Sequence, residues 1–203
     1  MNNPNTVTKF AAYATATIYE AAGKRGEMEP AVRPLVPGAR MAGRAFTIQC
    51  FLGDTTAVIQ AIDVAKPGDV LVIDIGGTDR ATAWGSSSSG AARKRGIAGV
   101  VTNGSARDLD EMRAVGLPVY ATGVSVRGTA KHHQGVMGVP VSVGGAVVKP
   151  GDIIIGDADG VVVIPQEREE ELLAKTIQQK AKEDDKAARI EKGESLAKIL
   201  GIS

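Results

Sequence analysis

The chain has 203 residues and a formal net charge of +1, from 24 Lys+Arg against 23 Asp+Glu. That length suits one large domain with an ample core, and the charge balance offers no field for gripping nucleic acid along its backbone. The single cysteine, Cys50, cannot close an internal disulfide, no CxxC or Cys/His cluster offers a zinc site, and no apolar run nears the roughly 20 residues that span a bilayer.

A reducing, cytoplasmic setting is therefore expected. The opening MNNPNTVTKF lacks the basic and then apolar pattern of a secretory signal. Residues 6–22 are alanine-rich, with Phe10, Tyr13 and Ile18 near helical spacing, and predict one helix that ends at Gly23 and Gly26. EPAVRPLVPGARMAG reads as an extended connector, and RAFTIQCF (44–51) as a strand. Asp54 is placed to cap a helix over DTTAVIQAIDVA. VLVIDI (70–75) is apolar on both faces, as in a covered sheet, and Gly76-Gly77 predicts a tight bend. WGSSSSGAARKRG reads as a loop leading into a helix that stops at Gly96, followed by a strand at 98–102, a short helix in LDEMRAVG and a strand in LPVYAT.

From Val141 onward short apolar runs punctuated by glycine predict antiparallel strands. Within them KPGDIIIGDADG (149–160) echoes KPGDVLVIDIGG (66–77), a Pro-Gly-Asp turn feeding a buried strand each time. The end predicts a long charged helix broken near Gly193. Leu172, Leu173 and Ile177 would pack on the body, and the part beyond Gln179 would face solvent or a neighbouring subunit.

Two segments could carry chemistry. NGSARDLDE (103–111) admits a local reading, with Asp108 as a helix N-cap and Glu111 closing a capping-box-like pair. It also admits a functional one: Arg107 and Asp108 stand just past a buried strand, where an arginine fork suits a carboxylate and an aspartate suits a hard cation. In WGSSSSG (84–90), Gly85 and the serines would lie at a helix N-terminus, whose N–H groups attract anions. Both loops could open on the same end of the sheet. His132 and His133 read as loop residues at a pocket rim or subunit contact. Asp157 and Asp159 read as a turn, Trp84 as packing, and Cys50 as a small core residue within a strand.

Taken in order, GDTTAVIQAIDVAKPGDVLVID, AWG with its helix to KRGIAGVVTNGSARD, and PVSVGGAVVKPGDIIIGDADGVVVIP resemble one family over roughly residues 6 to 190. It contains the regulator of ribonuclease activity A and the class II 4-hydroxy-4-methyl-2-oxoglutarate and 4-carboxy-4-hydroxy-2-oxoadipate aldolases. The resemblance implies an α/β fold: a swivelling β/β/α domain with mixed sheets over 1–165, helix 6–22 packed on it, and a C-terminal helical arm over 166–203. It also implies a homotrimer or hexamer with sites between subunits, and no nucleic-acid or membrane partner. Arg107-Asp108 followed after two residues by Glu111 marks the aldolase branch. By that resemblance Asp108 holds Mg²⁺ or Mn²⁺, and Arg107 binds the substrate's carboxylate and carbonyl end. The backbone amides of Gly85, Ser86, Ser87 and Ser88 hold the pyruvyl carboxylate. Glu183 of a neighbouring subunit, or else Asp184, completes the metal's outer shell. The implied reaction cleaves a 4-hydroxy-2-oxo di- or tricarboxylic acid to pyruvate through a metal-stabilised enolate, with oxaloacetate decarboxylation as a side activity. No Schiff-base lysine is needed, so neither Lys94 nor Lys131 is assigned. Asn103 departs from the aspartate common in aldolase members. The alternative is a non-catalytic regulator that binds a ribonuclease.

Overall fold

The computed structural model describes residues 4–77 and 81–202. The predicted helix over 6–22 is two helices, α1 (Pro4–Phe10) and α2 (Thr15–Ala21). The break has a tertiary cause. The Asp157 carboxylate accepts the Thr15 N–H at 2.9 Å and the Thr15 hydroxyl at 2.7 Å, and so caps α2 from the far end of the chain. The bend places Phe10 and Ile18 together against Ile153, Ile164 and Leu172.

The remaining elements follow as β1 (Arg33–Pro34), β2 (Met41–Gln49), α3 (Thr56–Val64), β3 (Asp69–Asp74), β4 (Thr82–Trp84), α4 (Ser86–Lys94), β5 (Gly99–Thr102), β6 (Ser105–Ala106), α5 (Leu109–Val115), β7 (Val119–Ala121), β8 (Gly123–Val124), β9 (Val136–Met137), β10 (Val141–Val143), β11 (Ala146–Val148), β12 (Ile153–Gly156), β13 (Val161–Ile164), α6 (Glu169–Glu191) and α7 (Leu196–Leu200). The main sheet runs β1-β7-β5-β3-β2-β12-β13, with β9 also on β2. β2, β3, β5 and β7 are mutually parallel, whereas β1, β9, β12 and β13 pair antiparallel. The fold is thus mixed α/β with a long C-terminal helix, as expected.

Helices α3, α4 and α5 cover one face of this sheet, where Leu71, Ile73, Val100 and Trp84 pack with Ala57, Ala61, Ala92 and Met112. The hairpin β10–β11 covers the other, over Val70, Val72, Val101 and Tyr120. This two-sided burial is why VLVIDI reads apolar at nearly every position.

The two KPGD segments are one device used twice. Each turn closes with the Asp N–H on the Lys carbonyl (Asp69 to Lys66, 3.0 Å; Asp152 to Lys149, 3.1 Å). Each is locked by the Asp carboxylate on the Lys N–H at 2.8 Å, with Gly68 at φ 87° and Gly151 at φ 88°. The strands they feed, β3 and β12, flank β2, one parallel and one antiparallel, so that Arg44 stands opposite both Asp69 and Ile153. Arg44 also holds Glu169 at 2.6 Å, which fastens the start of α6 to the sheet.

Along α6, Leu172 is buried and Leu173 half-buried as expected, but Ile177 is 50% exposed. Thr176 takes the inward position, with its hydroxyl bonded back to the Leu172 carbonyl at 2.7 Å. The inward stripe continues to Glu183, which accepts the Thr17 hydroxyl at 2.8 Å. Gly193, at φ 85°, ends the helix as predicted. Among the described residues no helix is long and apolar enough to cross a membrane.

Candidate active site

A second, three-stranded parallel sheet, β4-β6-β8, builds the site. Thr82 stands opposite Ser105 and Trp84 opposite Ala106; Ser105 stands opposite Gly123 and Ala106 opposite Val124. The strands run parallel, with one irregularity between Thr82 and Trp84, so their C-terminal ends release three loops side by side. Gly85-Ser86 leaves β4, Arg107-Asp108 leaves β6, and the segment from Ser125 to Lys131 leaves β8. The Arg107 N–H on the Trp84 carbonyl (3.1 Å) and the Ser125 N–H on the Ala106 carbonyl (2.9 Å) knit the exits together. The two loops picked out in the sequence do share one edge, but it belongs to the small sheet, and the third loop was not foreseen. Ligand sites at the carboxyl ends of parallel strands are the general rule for open α/β sheets.

Helix α4 starts at Ser86 without a preceding loop. The first intrahelical bond is from the Ser89 N–H to the Gly85 carbonyl at 3.0 Å. The N–H groups of Ser86, Ser87 and Ser88 therefore point outward with no partner inside the helix. Gly85 has no side chain to cap them. The Trp84 indole N–H donates to the Ser89 hydroxyl at 2.7 Å, which fixes the helix start on its strand.

Asp108 provides the missing cap. Its carboxylate accepts the Ser86 N–H at 3.3 Å and the Ser86 hydroxyl at 3.1 Å, with Arg107 Nε 3.6 Å away. The capping box with Glu111 does not form: Asp108 occupies the N-cap position of α5 but makes no side-chain bond to that helix. The reason is its backbone, at φ 57° and ψ 48° in the left-handed region, which turns the carboxylate toward α4. A non-glycine residue held there is strained, and such strain clusters at functional sites. A Cβ on Gly85 would meet Asp108 Oδ2 at 3.0 Å and Arg107 Cγ at 3.4 Å, so any larger residue would have to push these two side chains aside.

Gly85, Ser87, Ser88, Arg107 and Asp108 line one side of a cavity of about 380 Å³. Thr55, Ile59, Asp63, Thr82, Thr129 and Lys131 line the rest. The Thr82 hydroxyl is buried and has no hydrogen-bond partner among the described residues. A second hollow, about 410 Å³, borders Arg25, Gly145 and Arg168 and holds none of the candidate catalytic or ligand-binding residues; Lys24 and Arg168 at its rim are paired with Glu20 and Glu171.

Asp54, only 1% exposed, stands one residue before the N-cap of α3, which is Thr55 and not the expected Asp54, and reaches the helix start from there. One oxygen accepts the Thr56 N–H at 2.8 Å and the Thr56 hydroxyl at 2.7 Å. The other accepts the N–H groups of His132 (2.6 Å) and His133 (2.9 Å). Burial pushes this carboxyl up, but the bonds from His132, Thr56 and His133 outweigh it and hold the group well below the usual carboxylate range. The His133 ring stacks on Phe51 with centroids 4.5 Å apart, and neither histidine lines the cavity. Cys50 sits one residue past β2, half-buried, its thiol pushed up to about 12 by burial, Asp74 and Asp54.

Glu183 is not at the cavity of its own chain. Thr17 and Gln179 hold it, and Asp184 pairs with Lys180. Among the described residues no three His, Cys, Asp or Glu side chains converge as metal ligands. The cavity offers Asp108, while Asp63 is taken by Arg95 at 2.6 Å. One carboxylate with open positions for water and a chelating ligand suits Mg²⁺ or Mn²⁺, which keep several oxygen ligands from outside the protein; it does not suit zinc. The Gly85 cradle keeps that carboxylate uncrowded, so these residues fit such an ion.

Residues 15–163 match the RraA-like family model, described as Aldolase/RraA. The chain belongs to the RraA-like family. A curated relative from Halalkalibacterium halodurans, named "Putative 4-hydroxy-4-methyl-2-oxoglutarate aldolase", is 37% identical over 181 residues, covering 89% of this chain and 85% of the relative. Among solved structures, an uncharacterized protein from Pseudomonas syringae pv. tomato superposes with a TM-score of 0.89 at 27% identity, covering 100% of this chain and 95% of that one. Streptomyces coelicolor RraAS2, described as an unusual member of the RNase ES inhibitor RraA protein family, gives 0.81 at 26% identity, covering 93% and 100%. The RraA-like fold expected from the sequence is thus the fold observed.

Proposed function

We propose that this RraA-like chain is a carbon–carbon lyase. It would release pyruvate from a 4-hydroxy-2-oxo di- or tricarboxylic acid such as 4-hydroxy-4-methyl-2-oxoglutarate, with oxaloacetate decarboxylation as a side activity. The observation that carries this reading is the turned Asp108: a left-handed aspartate beside Arg107, aimed across Gly85 at the N-terminus of α4 on the wall of a cavity. The aldolase name of the curated relative supports it.

In this reading the outward N–H groups of Ser87 and Ser88, with that of Gly85, bind the carboxylate of the 2-oxo acid, while Asp108 keeps the Ser86 N–H. Arg107 places a fixed positive charge beside the 2-oxo oxygen, where negative charge grows as the C3–C4 bond breaks. Asp108 would hold Mg²⁺ or Mn²⁺, which when bound supplies Lewis-acid stabilisation of an enolate. Trp84 and Ser89 keep the helix start rigid, so these donors need no reorganisation. A trimeric or hexameric assembly would let Glu183 of another subunit approach the ion's outer shell.

The competing reading, a non-catalytic binder of a ribonuclease, draws on the likeness to RraAS2. Pyruvate release from oxaloacetate and from 4-hydroxy-4-methyl-2-oxoglutarate separates the two, measured with Mg²⁺, with EDTA and in Asp108→Ala. Metal-dependent release that the folded variant lacks is expected. No enzyme-dependent release from either substrate would sink the lyase reading.

A further inference from the structure

We infer that Lys131 reads a second carboxylate of the substrate, the one on the fragment that leaves, and that Asp54 is the positioning residue that holds Lys131 in place. The inference rests on the lyase reading for which end of the cavity takes the 2-oxo acid. That end, Gly85 to Ser88 with Arg107 and Asp108, is fully used by the pyruvyl half. What lies on the other walls must then meet the remaining half.

Those walls carry one formal cation among the described residues, Lys131. No described carboxylate pairs with it. Asp63, on the same cavity, is neutralised by Arg95, which grips both its carboxylate (2.6 Å) and its backbone carbonyl (2.9 Å). An uncompensated ammonium on a cavity wall attracts an anion. Ile59 and Ile62 line the same cavity and suit carbon rather than charge.

Lys131 lies in an irregular segment, yet its backbone is pinned on both sides. Ala130 exchanges hydrogen bonds with the chain before α3: its N–H donates to the Gly53 carbonyl (3.0 Å) and its carbonyl accepts the Thr55 N–H (3.1 Å). On the other side the His132 and His133 N–H groups converge on Asp54. The Thr55 and Thr129 hydroxyls meet at 2.9 Å. Asp54 thus ties the segment to the start of α3, the helix that brings Ile59 to the same cavity. The segment also abuts the catalytic end, since a Cβ on Gly128 would lie 3.8 Å from Arg107 Nη1. These bonds fix the backbone on both sides of Lys131, so its side chain starts from a set point at the cavity.

Two probes of equal carbon number test this: 2-oxoglutarate, with a second carboxylate, and 2-oxopentanoate, without one. Their binding is measured by calorimetry in the presence of Mg²⁺, alongside kcat/KM on 4-hydroxy-4-methyl-2-oxoglutarate and on the monocarboxylic 4-hydroxy-2-oxopentanoate. The wild-type protein should prefer 2-oxoglutarate. Lys131→Met should abolish that preference and lower kcat/KM on the dicarboxylic substrate about 10- to 100-fold, mainly through KM, with the monocarboxylic substrate within about twofold. Lys131→Arg should restore most of the loss. Asp54→Asn, with unchanged circular dichroism, should repeat the Lys131→Met pattern. An equal loss on both substrates, or an undiminished preference for 2-oxoglutarate in Lys131→Met, overturns the inference. A wild-type protein that binds both probes but turns over neither substrate defeats the lyase reading alone, and the binding ratio still decides the role of Lys131.

Discussion

The Asp108 carboxylate accepts both the N–H and the hydroxyl of Ser86, which opens a helix 22 residues earlier in the chain, and leaves its own helix uncapped. The left-handed backbone that permits this costs a non-glycine residue about 1 kcal/mol. Asp108→Gly removes the strain and the carboxylate together. The expected outcome is a protein as stable as the wild type, or more stable by up to about 1 kcal/mol, whose kcat/KM falls at least about 100-fold. Calorimetric melting and pyruvate release check the two halves separately. A marked drop in melting temperature would show that Asp108 is chiefly structural.

Two glycines of the same loop and helix should respond oppositely to alanine. Gly85→Ala drives a Cβ against Asp108 Oδ2 and Arg107 Cγ, and should cost about 1–2 kcal/mol and most of the activity. Gly90, in the middle of α4, has open space where a Cβ would sit. Gly90→Ala should stabilise by about 0.5–1 kcal/mol and leave turnover unchanged. Urea titration with parallel assays decides both.

Asn103, where aldolase members often carry aspartate, works here as a clamp. Its amide nitrogen donates to Asp74 at 2.8 Å and to the Ser142 carbonyl at 3.1 Å, and its oxygen accepts the Ile75 N–H at 2.9 Å. Asn103→Asp removes both donations and sets two carboxylates face to face. It should cost about 1–3 kcal/mol at pH 7. That loss should shrink as pH falls from 7 to 4, because one proton bound between two facing carboxylates relieves their repulsion. Denaturant unfolding at pH 7 and pH 4 checks it; a loss that grows toward low pH would contradict the clamp.

Acid stability should depend on Asp157. Burial pushes its carboxyl up, but hydrogen bonds from Thr15 and the Asp159 N–H, with the Arg40 charge, outweigh this and hold it below the usual value. A carboxyl lowered in the folded state contributes stability that is complete above its unfolded pKa, about 3.9, and is lost as pH falls through the lower folded value. Asp157→Asn should therefore be destabilised by about 1–2 kcal/mol at pH 7, with the gap to wild type narrowing as pH falls below about 4. Unfolding curves at pH 7, 5 and 3 measure the gap; one of constant size would mean that the charge of the cap is irrelevant.

Much of the architecture was legible in residue order. The covered strand β3, the KPGD turns, the antiparallel strands after Val141 and the stop at Gly193 follow from local rules. An apolar run buried on both faces, a Pro-Gly turn with a locking aspartate, and a glycine in the left-handed region each act within a few residues. Gly85 to Ser88 and Arg107-Asp108 could be picked out because helix starts and strand ends leave the same short-range marks. Helix 6–22 and the Asp108–Glu111 capping pair were misread for a single reason. Each also obeyed a local rule, but a distant partner overruled it: Asp157 capping at Thr15, and Ser86 drawing Asp108 away.

The sequence by itself thus determined the elements and the chemical character of the two loops, since propensity, turn chemistry and hydrophobic period are short-range. Only the tertiary structure decided what meets at the cavity. Three two-residue or three-residue strands, too short to leave a pattern, pair in parallel and bring together residues 85–88, 107–108 and 129–131. Lys131 had no local mark at all. Its place depends on Asp54, buried far back in the chain, whose carboxylate finds the His132 and His133 amides only once the sheet has closed the distance between them.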